Sequence, residues 1–256
     1  MDHPKLKNKP LVEAMIEVRW QLQQSPLGGT LDPHYTILLG RLFDRLKSDY
    51  PQHELTPMAS FPEHMAGQTA QHRFRPRPNA WPVVQVGPGV ATLNSTAEYV
   101  WEDFRPRAID VIQKLYESHP SPSDLKIETL ALRYIDAVPF DPSNEDAIDF
   151  LRKKMNVGIS LPQGVFNGQE IDKRPAHLLL QSTFPCNKPK GAMRVGFATG
   201  QRDMDPSLFW ETQVQSTGLE LPEIPNKFPS WIDEAHAVTG DWFFQLISGE
   251  LQRSFE

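Results

Sequence analysis

The order of elements in this sequence predicts an α+β fold of two pseudo-repeated strand-helix-strands-helix halves packed as one unit. Two observations carry that expectation. Residues 12–22 and 127–138 are the two longest runs with strand character, and each opens a series that closes on a long helical period. Between each strand and its closing helix come a shorter helix and further β-rich stretches, so the halves are drawn at 1–120 and 121–256.

The first strand is read from Val12, Ala14, Ile16, Val18, Trp20 and Leu22, which are apolar at every second position while Glu13, Glu17, Arg19 and Gln21 lie between them. That is the period of a strand with one buried face. Asp32 and Pro33 then read as an N-cap and first helical residue. Tyr35, Leu38, Leu39, Leu42, Phe43 and Leu46 follow at helical spacing until Tyr50 and Pro51. Residues 51–80 are rich in Pro, His and Gly and predict an exposed loop holding at most one or two short strands. Gly87, Pro88 and Gly89 between 82–86 and 90–93 predict a hairpin. Trp101, Phe104, Ala108, Ile112, Leu115 and Tyr116 share a helix face over 98–118, with Pro106 expected to kink or start it.

In the second half, 127–138 is a strand rich in β-formers and 145–155 a short helix carrying Ile148, Leu151 and Met155. Strands are expected at 177–184, 193–199 and 209–217. The last helix, 230–253, repeats Trp231, Ala235, Val238, Trp242 and Leu246 behind Pro229 and a capping Ser230.

Composition narrows the functional classes. No window approaches the 18 to 20 apolar residues, roughly, that a spanning helix requires, so no membrane partner is expected. A lone Cys186 can form neither an internal disulfide nor a thiolate metal site, and with no apolar leader after the basic start the chain reads as cytoplasmic. The net charge is −6, and residues 201–256 hold ten acidic side chains against three basic ones. A nucleic-acid binder would show the opposite excess, so nucleic acid is not the favoured partner.

Candidate sites are few. Gly87-Pro88-Gly89 lacks the run of free N–H groups of a phosphate loop, and the eight histidines show no compact metal spacing, so neither cofactor nor metal is expected. Nor does any nucleophile motif or converging acid-base set name a catalytic residue. His236, one turn from Asp233, reads as a packed, hydrogen-bonded ring. Arg133 sits in the apolar run 130–138 and must either face solvent or find a carboxylate, Glu13, Glu17 or Asp136. Arg133 and His236 together form a candidate ligand or structural polar site. Arg73, Arg75 and Arg77 form a basic run suited to an acidic partner. On the last helix Phe244 falls toward the polar side with Asp241, and both are candidate partner-binding residues, since aromatic anchors dominate many interfaces.

Pro10-Leu11-Val12-Glu13 leading into Ile16-Glu17-Val18-Arg19-Trp20, then Val86-Gly87-Pro88-Gly89-Val90 with Leu93-Asn94, Tyr99-Val100-Trp101, Leu132-Arg133-Tyr134-Ile135-Asp136 and Ala235-His236 carry a resemblance. Together they resemble a sporadically distributed, uncharacterised bacterial protein family of about this length, over nearly the whole chain. Asp136 stands where Asn is expected in that family. The resemblance implies no activity, cofactor or catalytic residue. Its patchy distribution implies an accessory gene of the kind found in phage-defence or toxin–antitoxin operons.

The reading that follows is a non-enzymatic binding or scaffold subunit with a protein partner or a second copy of itself, for which aromatic side chains such as Trp81 and Trp210 are available. The alternatives are a metal-dependent hydrolase or nuclease and a nucleic-acid sensor.

Overall fold

The computed structural model describes residues 4, 6–26, 28–62, 67–96, 98–167 and 171–256. Its centre is β1 (Leu11–Trp20), in which Ala14, Ile16, Val18 and Trp20 are buried while Glu13, Met15, Glu17 and Arg19 point the other way. Period-two alternation has put one whole side of the strand in a core, as the spacing predicts. β1 pairs antiparallel with β7 (Val90–Ser95) on one side and with β8 (Ile127–Pro139) on the other. From β7 the sheet continues through β6 (Val83–Gly87), β5 (His72–Arg75) and β4 (Gln52–Leu55). From β8 it continues through β11 (Asp205–Thr217), β10 (Lys190–Arg202) and β9 (Leu179–Asn187). Among the described residues this is one nine-stranded antiparallel sheet, and β2 (Gln23–Gln24) with β3 (Thr30–Leu31) forms a separate two-stranded ribbon.

Among the described residues the helices pack on one face of the sheet. The buried side of the sheet packs against α1 (Tyr35–Leu46) through Leu38, Leu42 and Leu46, and against α2 (Trp101–Ser118) through Phe104, Ala108, Ile112 and Leu115. Trp231, Ile232 and Ala235 of α4 (Phe228–Ile247) complete that core. A second cluster lies over the far strands, where α3 (Ala147–Lys154), the end of α4 and α5 (Glu250–Phe255) meet Val195, Phe197, Leu208 and Trp210. The opposite face carries Arg73, Gln85, Thr92, Asn94, Glu17, Arg133, Glu211, Gln213 and Arg194 in register across the strands.

The expectation of two pseudo-repeated halves is overturned. All the long strands enter one sheet that runs without interruption across residue 120, and its flanks are unlike. β4 to β7 have four to six residues each, whereas β9 to β11 have nine to thirteen. Element order alone carries no information about strand length or about which strands pair, and those two properties determine the architecture.

Local differences have local causes. Within 51–80 the structure has β4 and β5 as sheet strands, while the part of that segment at 63–66 lies outside the described residues. Pro106 sits inside α2 instead of starting it. The first residue of α1 is Tyr35. Asp32 is buried, and it accepts hydrogen bonds from Trp20 Nε1 (2.8 Å) and the backbone N–H of His34 (3.0 Å). The helix expected over 230–253 is two helices, broken where Gly249 adopts φ +113°. The glycine-rich turn divides its labour: Gly89 takes φ +69°, and a Cβ on Gly87 would lie 1.9 Å from the Thr69 carbonyl oxygen.

Candidate functional site

β8 enters the sheet with Leu130, Leu132, Tyr134 and Asp136 all on the helix-covered side, so the alternation that builds the core also carries a carboxyl into it. Over Tyr134 and Asp136 the helices part, leaving a cleft of about 540 Å³. Tyr99 and Trp101 at the entrance to α2 form one wall, and His236, Phe243 and Phe244 of α4 form another. The third is the segment Leu6–Leu11. It is fixed by Lys9 Nζ donating to the Tyr99 carbonyl (2.7 Å), by the Pro10 carbonyl accepting from Ala137 N–H (3.0 Å), and by Lys7 and Asn8 N–H donating to the Phe255 carbonyl (2.9 Å each). The volume falls in the range of small-molecule sites, and the lining is mostly apolar with a few convergent polar groups.

The polar groups are of two kinds. Tyr134 Oη lies 2.7 Å from Tyr99 Oη and 2.9 Å from His236 Nδ1, a chain of three in which each hydroxyl can donate and accept. Trp101 stacks on the His236 ring with centroids 3.7 Å apart and planes 9° from parallel, fixing its orientation. Burial pushes both tyrosine hydroxyls well above their usual pKa, so they act as neutral groups. Asp136 differs. It is 2% exposed, its Oδ2 has no hydrogen-bond partner, and the hydroxyl of Thr212 on the neighbouring strand is also unpartnered. Burial raises the Asp136 carboxyl to about 8, so near neutrality it holds a proton. A buried polar atom left unpaired costs about 1–3 kcal/mol, which a ligand reaching it would recover.

His236 is drawn into the cleft, while Asp233 makes a bidentate contact with Arg105 (2.5 and 2.7 Å) that ties α2 to α4. Phe244 is half-buried, edge-on to Phe243 (5.1 Å), and forms part of the cleft wall; Asp241 is half-buried on the same helix. Arg133 lies on the opposite face of the sheet, and its Nη2 pairs with Glu211 at 2.6 Å. Glu13 is engaged by Asn94 and Glu17 by Arg19, while Asp136, three residues along the strand, faces away. Arg73 donates to Gln85. Arg75 pairs with Glu54, donates to the Ala80 carbonyl and lies over Trp81, and Arg77 is exposed in the following turn. Trp210, expected to be free for an interface, is 1% exposed.

Thr212 carries no sequence signal of its own, and Tyr99 enters only through the resemblance, without a role. Asp136 carries one: it has the same parity as Leu130 and Leu132, which places it on their side of the sheet. Among the described residues no three His, Cys, Asp or Glu side chains converge as a metal site, and no helix is long and apolar enough to cross a membrane. No protein-family model and no curated protein matches this sequence, so its candidate site rests on geometry alone.

Proposed function

We propose that this chain is a binding subunit whose cleft over Asp136 receives an apolar group bearing one hydrogen-bond donor, an amine or a hydroxyl. The observation that carries the reading is the unpartnered, buried Oδ2 of Asp136 on the floor of an otherwise apolar cleft. The family resemblance is what sets this role in a bacterial accessory system with a separately encoded partner. A second reading, proton-transfer catalysis, draws on the Tyr99–Tyr134–His236 chain beside a carboxyl that titrates near 8. The metal-dependent alternative has no converging donor set among the described residues.

The sign of the proton linkage gives the test. An ammonium group needs the ionised carboxylate, so its binding expels the proton that Asp136 holds below about pH 8. Affinity for an apolar amine such as cyclohexylmethylamine is expected to rise about tenfold per pH unit between 6 and 8 and then level off. Calorimetry in buffers of different ionisation enthalpy reads the proton release directly. Equal binding of the amine and its isosteric hydrocarbon, or an affinity indifferent to Asp136→Asn, would overturn the reading.

A further inference from the structure

The nine-stranded sheet ends on β4 at one side and on β9 at the other, and the two edges are built differently. β4 has four residues, follows Pro51, stops just short of Pro57 and engages Glu54 with Arg75, so it offers little to an approaching strand. β9 has nine residues, Leu-Leu-Gln-Ser-Thr-Phe-Pro-Cys-Asn, and none of them is charged. Edge strands are ordinarily blunted by charge, shortness or proline, and β9 has only Pro185.

The direction of the β9 backbone groups follows from its ladder. Thr199 N–H donates to the Leu178 carbonyl (3.1 Å), and the antiparallel register continues unbroken from there, so even-numbered residues of β9 turn their N–H and C=O toward β10. The odd-numbered ones turn theirs outward. Pro185 agrees, because a residue without an N–H fits a strand only where that position points away from the ladder. The outward row is therefore Leu179, Gln181 and Thr183, each with a donor and an acceptor, and none of them has a backbone partner on that side among the described residues. Apolar surface flanks the row on both faces. Leu179, on the open face, is 75% exposed; Phe184, on the covered face against Trp242 of α4 (5.2 Å), is 43% exposed.

We propose that β9 pairs antiparallel with β9 of a second copy of this chain, about a two-fold axis at Gln181, joining the two sheets into one. In this register Gln181 of one copy opposes Gln181 of the other and Leu179 opposes Thr183 on either side, so every outward donor of the row meets an acceptor and Pro185 falls outside the pairing. Phe184 then opposes Leu178, which lays its exposed edge against an apolar side chain of the other copy. The occupant is a second copy because two-fold pairing sets the strand against itself. Any charge beside the axis would meet its own like, and β9 has none. The two Gln181 amides, each with donor and acceptor, can bond reciprocally on the axis. Selecting a foreign strand would call for charges to read along the edge, and these are what β9 lacks.

Sedimentation equilibrium and amide hydrogen exchange on the full chain test this. The chain is expected to dimerise reversibly. As concentration rises, exchange should slow at Leu179, Gln181 and Thr183, while residues 180, 182 and 184, already bonded to β10, stay as they were. Thr183→Pro removes one outward donor from each copy without touching the ladder to β10 and should weaken the dimer by at least about tenfold. Gln181→Lys and Gln181→Glu each set like charges face to face and should each weaken it about fivefold, whereas an equimolar mixture of the two should recover the wild-type affinity or better. The charge variants alter an exposed side chain, so they decide the matter should Thr183→Pro fail to fold. A chain that stays monomeric at millimolar concentration sinks the proposal, including the case in which β9 pairs with a strand of another protein. So does slowed exchange at 52–55 or 236–244 in place of the odd residues of β9, or a mixture of the charge variants that associates no more tightly than either alone.

Discussion

Arg133 and Asp136 lie three residues apart on β8, on opposite faces of one sheet. On the open face Arg133 keeps its charge, reaches a carboxylate at 2.6 Å and shares its surroundings with Gln213 and Arg194. On the covered face Asp136 is surrounded by aromatic rings and gives up its charge up to about pH 8. What the side chain is worth to the fold is therefore decided by strand parity more than by residue type: an ion is held cheaply where water reaches it, and is neutralised where helices exclude water.

Substitutions on the two faces should separate sharply. Leu132→Ala, at a fully buried position of the covered face, should cost about 2–5 kcal/mol in urea unfolding. A loss of less than about 1 kcal/mol would show that the covered face is not closely packed. Asp136→Asn comes next, and its sign runs opposite to that of a salt-bridged carboxylate. The folded state holds a proton that the unfolded chain releases above about pH 4, so wild-type stability falls between about pH 4 and about pH 8. The amide should remove that slope, gaining on the order of a few kcal/mol at pH 8 and nothing at pH 4, as read from melting curves across the range. A parallel pH profile for the two proteins would place water at the carboxyl. Tyr134→Phe breaks the chain between Tyr99 and His236 and should cost about 1–2 kcal/mol, independent of pH from 7 to 9. Arg133→Ala on the open face should cost less than about 1 kcal/mol, and a larger loss would mean that its pair with Glu211 is better shielded than its half-exposure indicates.

The parts of the fold legible in the sequence are those where one pattern runs over ten residues or more. β1 alternates, β8 is a long run rich in β-formers, and α2 and α4 keep a continuous apolar stripe. β4 and β5 have four residues each, too few for a period to stand out in a stretch crowded with Pro, His and Gly. β10 and β11 extend past the expected 193–199 and 209–217 because they are joined at Asp203 and Met204. Both take positive φ (52° and 75°) with no glycine to signal a turn. Of the cleft, Tyr134, Asp136 and His236 fall within stretches notable in the sequence, but nothing links them until α4 crosses β8. The partner of Arg133 was out of reach for the same reason: Glu211 is 78 residues away, and strand pairing alone brings it near.

The contact of Lys7 and Asn8 with the Phe255 carbonyl gives the cleft an unexpected dependence. Its third wall, Leu6–Leu11, is anchored on the last turn of α5, a helix that supplies none of the residues lining the cleft. A substitution that frays α5 therefore reaches the cavity at second hand, by freeing Lys7 and Asn8, and would register as a change of affinity with every lining side chain intact.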